Sequence, residues 1–200
     1  MTDPTSCDAA GSYCERCDLL VGLAGFHVTD VKEDDGQLKV MIESAPTVMG
    51  CPVCGVVAHG HGRTVAELVD APCFGRPVRL RWRKHRWICP EPTCLVGSFA
   101  EQDPSVALAG RKLTTRAIRW AIGQLRDEQA SIQGLSRQLG TTWKTLWRAI
   151  QPVLEAAAAD EARFEGVTSL GVDEHIVRHE ALLYRMEVGD LHWLAVVAAR

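Results

Sequence analysis

The stretch GRPVRLRWRKHRWICPEPTC, Gly75–Cys94, sets the reading of the whole chain. Val78, Leu80 and Trp82 alternate with Arg79, Arg81 and Arg83, the period-two pattern of a strand with one apolar and one cationic face. The strand runs into Cys89 and Cys94, a C-x4-C pair carrying two prolines. Upstream, CPVCG places Cys51 and Cys54 at C-x2-C spacing before Gly55.

Two thiolates two or four residues apart can turn onto one ion, and glycine after the first pair permits the tight return of the chain. Cys51, Cys54, Cys89 and Cys94 therefore suit a closed tetrahedral Zn²⁺ site, with the basic strand bridging two knuckles as in a zinc ribbon. A structural zinc contributes on the order of 10 kcal/mol or more to folding, enough to hold a module with little apolar core. The alternatives are four unrelated thiols or a thioredoxin-like redox pair, and no βαβ pattern surrounds either motif.

The other cysteines read less clearly. Cys73 is expected to pack. Cys7, Cys14 and Cys17 offer a C-x6-C-x2-C second metal site needing an outside ligand, or simply free thiols in an acidic arm. His59 and His61 are read as polar loop residues rather than zinc ligands.

Composition narrows the class. The 200 residues are 46% hydrophobic, enough for one core or for two or three small ones. No run of about 18 apolar residues occurs, and MTDPTSCDAAGSYCERC lacks the basic start and apolar middle of a signal peptide, so a cytoplasmic protein with no membrane partner is expected. Eight cysteines then fit metal binding better than a disulfide scaffold.

The net charge of −3 hides segregation. Arg76, Arg79, Arg81, Arg83, Lys84 and Arg86 lie in one acid-free run, and 111–148 is also basic, whereas both ends of the chain are acidic. A basic middle between acidic ends points to a polyanion, and Arg79, Arg81, Arg83, Lys84 and Arg86 are the first candidates for phosphate contacts.

Along the chain, FHVTDV and LKVMI around KEDDGQ predict a β-hairpin. Residues 113–158 change to helical periodicity. LTTRAIRWAIGQLRDE is an amphipathic helix capped by Thr114 or Thr115, with Ile118, Ile122 and Leu125 on its inner stripe. In SIQGLSRQLGTTWKTLWRAIQP, Leu135 and Leu139 lie four apart, Ser136 allows close approach, Gly140 makes the turn, and Leu146 and Ile150 return to the core. That is helix-turn-helix spacing. The second helix is expected from about Thr142 to Gln151, stopping near Pro152. Thr142, Trp143, Lys144, Arg148 and Gln151 face outward as candidates for reading double-stranded DNA, although Trp143 and Trp147 equally suit packing.

The expected organisation is multi-domain α+β. It comprises an acidic arm and hairpin (1–48), a small β zinc ribbon (49–101), an all-α helix-turn-helix (111–158) and further strands (165–200).

CPVCG, then GRPVRLRWRKHRWICPEPTC, then SIQGLSRQLGTTWKTLWRAI, then SLGVDEH resembles, in that order, the N-terminal half of bacterial insertion-sequence transposases of the ISL3 group. The resemblance implies that the ribbon and helix-turn-helix bind terminal inverted repeats. It also implies that residues 165–200 open an RNase H-like α/β domain in which an Asp-Asp-Glu triad holds two Mg²⁺ ions for DNA cleavage and joining. Asp173 matches the first triad carboxylate.

Two divalent ions need hard oxygen ligands from several strands, so one carboxylate is not enough. Glu174 points to the opposite strand face from Asp173. No later stretch up to Arg200 matches the second Asp or the Glu, so a truncated chain that binds DNA without cutting it is expected, in the bacterial cytoplasm and associated with the nucleoid. Open strand edges and LAVVAA would favour self-association. The alternative is a self-contained regulator with the same zinc and helix-turn-helix modules.

Overall fold

The computed structural model describes residues 13–160, 162 and 165. The chain divides into two units at Glu155/Ala156, and the first of them holds the sheet and the helical core. The expected strands of 165–200, with Asp173, lie outside the described residues.

The basic strand of the sequence forms β4 (Arg76–Ile88), the central strand of the sheet. Its thirteen residues span about 43 Å at the usual rise per residue. On one side it pairs antiparallel with β3 (His59–Cys73) from His59↔Ile88 to Cys73↔Arg76. On its other side, one end of β4 pairs parallel with β2 (Gln37–Ser44) over Leu38↔Val78 to Ile42↔Trp82. The other end pairs antiparallel with β5 (Ser98–Ala100). β1 (Phe26–Asp34) closes the order β1-β2-β4-β3.

β1 and β2 form the expected hairpin, turned by Asp35 (φ 49°) and Gly36 (φ 69°). Two consecutive positive φ values are what a two-residue turn needs to match strand twist. The hairpin does not stand apart from the ribbon as the expected boundary at 48 would have it. Its second strand is hydrogen-bonded to β4, so the two share one sheet.

The alternation in β4 sorts its side chains as expected. Val78, Leu80 and Trp82 are buried with Phe26, Val28, Val40, Ile42 and Leu68, and Val106 and Ala107 cover them. Phe26 meets Trp82 edge-on, ring centroids 5.4 Å apart.

A short helix that the acidic composition of the arm does not announce, α1 (Glu15–Val21), packs on the same core through Cys17 and Val21. Asp18 fastens it by accepting from Val28 N–H (2.6 Å) and pairing with His27 Nδ1 (2.8 Å). Cys73 packs against this core too. Cys7 lies outside the described residues.

The helical part comprises α2 (Thr115–Asp127), α3 (Ile132–Gln138) and α4 (Trp143–Ala159). Thr114 caps α2 by accepting from Ala117 N–H, and Ser131 caps α3 by accepting from Gly134 N–H. Their core is Leu113, Ala117, Ala121, Leu135, Leu139, Leu146 and Ile150, with Ile118, Ile122, Leu125 and Trp147 partly buried around it.

Val69 of β3 belongs to this helical core. Its N–H donates to Lys112 C=O and its C=O accepts from Thr114 N–H, so the chain entering α2 is stitched to the edge of the sheet.

α4 corrects one expectation: Pro152 lies inside the helix rather than ending it. Proline removes the N–H that would bond to Arg148 C=O, at about 3 kcal/mol. The VLEAAAA segment after it is mostly strong helix formers, and Leu154 is anchored on the core, which offsets that penalty.

Candidate metal centre and nucleic-acid interface

The knuckles meet at the Ile88 end of β4. After Met49, the chain turns so that Cys51 N–H donates to Val56 C=O and Gly55 N–H donates to Cys51 C=O, folding Cys51 and Cys54 onto one side. Beyond β4, Cys89 N–H donates to Gly97 C=O and Cys94 N–H to Glu91 C=O, turning the second pair inward before β5 begins.

The four sulfurs lie within 4.8 Å of one another. Cys51 Sγ is 3.7 Å from Cys94 Sγ, and Cys54 Sγ is 3.5 Å from Cys89 Sγ. A disulfide would bring sulfurs to about 2.05 Å. Four thiolates about 2.3 Å from a central Zn²⁺ would stand about 3.8 Å apart, so the arrangement fits the ion.

The local electrostatics agree. Backbone N–H groups of Cys54 and Val53 lower the Cys51 thiol to about 6. Glu91 N–H acts the same way on Cys89, but burial and the neighbouring thiols Cys54 and Cys51 push Cys89 up to about 12. One sulfur ionises readily and resists the ionisation of the next, an imbalance that a divalent cation removes by holding all four as thiolates. Bound there, zinc cross-links the start of β3 to the end of β4. His59 and His61 lie exposed at the start of β3.

Arg79, Arg81 and Arg83 of β4 occupy the face away from the apolar core, where the last two meet acids. Arg83 Nη1 is 3.1 Å from Glu43 Oε2, which also pairs with Arg63 at 3.1 Å. Arg81 Nε is 4.0 Å from Glu67. Lys84 lies on the opposite face, its Nζ 4.0 Å from the Trp82 ring centroid and donating to Gln102 Oε1 at 3.3 Å. Arg86 is half-buried opposite Ala100.

Arg79, one of the candidates for phosphate contact, has partners within the fold. Its guanidinium donates to Leu139 C=O (3.1 Å) and to Gly140 C=O, the backbone of the turn between α3 and α4. Gly140 has φ 61°, and a Cβ there would stand 3.0 Å from Pro77 Cβ, so turn and strand approach closely. Arg79→Met is therefore expected to destabilise the fold by about 2 kcal/mol in urea titration, the usual worth of hydrogen bonds to a charged group.

On α4, Thr142 caps the helix by accepting from Thr145 N–H at 3.2 Å. Trp143 is 48% exposed, which separates it from Trp147, packed on the core. Lys144 Nζ stands 5.9 Å from the Trp143 ring centroid. Arg148 is exposed, whereas Gln151 Nε2 donates to Glu155 Oε1 at 2.7 Å. The first two turns thus present Trp143, Lys144 and Arg148 outward, over Leu146 and Ile150, which are fully buried.

No helix among the described residues is long and apolar enough to cross a membrane. No curated protein and no solved structure matches the chain. Residues 47–94 match the zinc-finger of transposase IS204/IS1001/IS1096/IS1165. Residues 104–154 match the helix-turn-helix domain of transposase family ISL3. The first match encloses the four converging thiols, and the second encloses all three helices of the core around Leu135 and Leu146 up to Leu154. With both modules present in that order, the chain carries a zinc ribbon and a helix-turn-helix of the ISL3 transposase type, as in the N-terminal region of such a transposase.

Proposed function

We propose that the chain recognises the terminal inverted repeats of its own mobile element, with α4 entering the major groove of double-stranded DNA. The observation that carries this reading is the exposed N-terminal half of α4, where Trp143, Lys144 and Arg148 stand out from a helix whose opposite face is locked to the core by Leu146 and Ile150. A recognition helix needs both properties, because side chains read base edges only from a rigid backbone. The two family matches support a DNA-binding role in a transposase.

The zinc centre and the Arg79 contact serve the same end by fixing the sheet and the α3–α4 turn on which the helix is mounted. By the resemblance of SLGVDEH to the ISL3 transposases, Asp173 is the first carboxylate of a Mg²⁺-dependent strand-transfer site; it lies outside the described residues.

The test is fluorescence anisotropy of the zinc-loaded chain with a labelled duplex carrying the element's terminal repeat, competed by unlabelled repeat or by scrambled duplex. The repeat is expected to compete at least tenfold better, with log affinity falling by about 0.9 per log unit of salt for each phosphate engaged. Equal competition by the scrambled duplex would count against repeat recognition.

A further inference from the structure

Several of the strand arginines that dominate the sequence are already held by acids in this fold. Arg63 and Arg83 share Glu43, Arg81 faces Glu67, and Arg76 pairs with Glu33 at 2.6 Å. By contrast Lys84, Arg111, Lys112 and Arg148 make no ion pair among the described residues.

These four are linked by the loop leading into α2. On one side of Gly110–Lys112 lies a cavity of about 320 Å³ against the edge of β3, its lining including Trp82, Lys84, Gln102, Arg111 and Lys112. On the other side a second cavity, about 190 Å³, is lined by the same Arg111 and Lys112 together with Thr145 and Arg148 of α4. The loop is thus a basic saddle between the sheet and the helix proposed to read DNA.

Two features of the first cavity suit an anion. Glu67, the one acid in its lining among the described residues, faces Arg81. Trp82, whose Nε1 is a buried donor with no acceptor among the described residues, is part of its wall beneath Lys84. Burial lowers the Lys84 ammonium below its ordinary value, with Glu101 opposing, so an anion beside it would relieve that penalty.

We propose that the saddle Gly110–Lys112, with Lys84, is a backbone clamp for double-stranded DNA. One strand of the duplex read by α4 passes from Arg148 over Arg111 and Lys112, and a phosphate seats in the cavity beside Lys84. The clamp rests on the DNA-binding reading of α4 and adds to it a path for the backbone and three residues outside the recognition helix. Arg111 and Lys112 hold the saddle in place through main-chain bonds, Arg111 N–H to Leu108 C=O and Lys112 C=O from Val69 N–H, so their side chains can be removed without loosening it.

The test measures the affinity of the full zinc-loaded chain for the terminal-repeat duplex across a salt series, for wild type, Arg111→Ser/Lys112→Ser, Lys84→Met and a control, Lys32→Ser, whose ammonium pairs with Asp30 on β1. Two lost phosphate contacts are expected to shallow the slope of log affinity against log salt by about 1.8, weakening binding roughly 60-fold near 0.1 M salt. Lys84→Met keeps the stem over Trp82 and is expected to shallow the slope by about 0.9, with Lys32→Ser unchanged. Zinc content and melting temperature equal to wild type verify that the variants fold. Wild-type slopes in both the double variant and Lys84→Met would overturn the clamp while leaving α4 recognition standing. Absence of any salt-sensitive duplex binding by wild type would overturn the parent reading and the clamp with it.

Discussion

Removing zinc with a strong chelator, or replacing Cys54 or Cys89 by serine, is expected to unfold the knuckle end of the sheet while the helical core stays folded. The apolar burial at that end is small: Cys51, Ala58, Trp87 and Cys89 are its buried side chains, and β3 is mostly exposed from His59 to Glu67. The ring contacts His85–Trp87 (5.5 Å) and Trp87–Phe99 (5.6 Å) add order of about 1 kcal/mol each. A four-thiolate zinc is worth about 10–16 kcal/mol, far more than these contacts supply. The helical core has its own buried leucines and isoleucine and no metal ligand among the described residues.

Hydrogen exchange by mass spectrometry separates the two responses. Protection should collapse over 49–66 and 84–100 and persist over 115–150, with one zinc per chain lost. Unchanged protection at the knuckles after complete chelation would show that zinc does not hold them.

The second large effect is expected at Asp70, which is fully buried where sheet, α1 and α2 meet. Its carboxylate accepts from Thr114 Oγ1 (2.7 Å), Arg116 Nε (2.7 Å), Arg116 Nη2 and Ala71 N–H (2.9 Å). Arg116 Nη1 also donates to Val21 C=O at the end of α1. The hydrogen bonds to Asp70 raise the Arg116 pKa, which burial alone would lower.

Removing one partner of such a pair leaves the other charged and poorly solvated, at about 3–5 kcal/mol. Asp70→Ala should therefore lose about that much stability in urea. Arg116→Ala should lose a similar amount, and the double variant distinctly less than the sum, because the two effects share one interaction. A loss below about 1 kcal/mol for Asp70→Ala would mean that the network does not bind helix to sheet.

These two sites differ in how well the sequence announces them. The knuckles are local: C-x2-C before glycine and C-x4-C after an alternating strand identify the four thiols from spacing alone, and they converge. The β1–β2 hairpin and the cores of α3 and α4 are equally legible, because turn residues and helical periodicity act within a few residues.

Spacing cannot supply pairing across long stretches of chain. Nothing local tells Leu38 that its neighbour is Val78, so the merging of hairpin and ribbon into one sheet is visible only in the structure. Asp70 reads as one acid in a strand, yet it meets Arg116 of α2. Arg79 reads as one of a row of equivalent cations, although its partners are carbonyls of the α3–α4 turn. Arg111 and Lys112 carry no signal of their own, because a loop's charges acquire meaning only from the cavities on either side. A signal for Arg79 is present in Gly140, whose turn must have a close neighbour, but sequence does not name that neighbour.

The most direct test of α4 as the reader of DNA is the affinity of Lys144→Ala/Arg148→Ala for the terminal-repeat duplex and for scrambled duplex, measured beside wild type with zinc bound. Both side chains are exposed and make no ion pair among the described residues, so the fold should be unaffected. The expected result is a loss of at least tenfold in affinity for the repeat and a preference over scrambled duplex that shrinks toward unity. Wild-type affinity and preference in the folded double variant would contradict it.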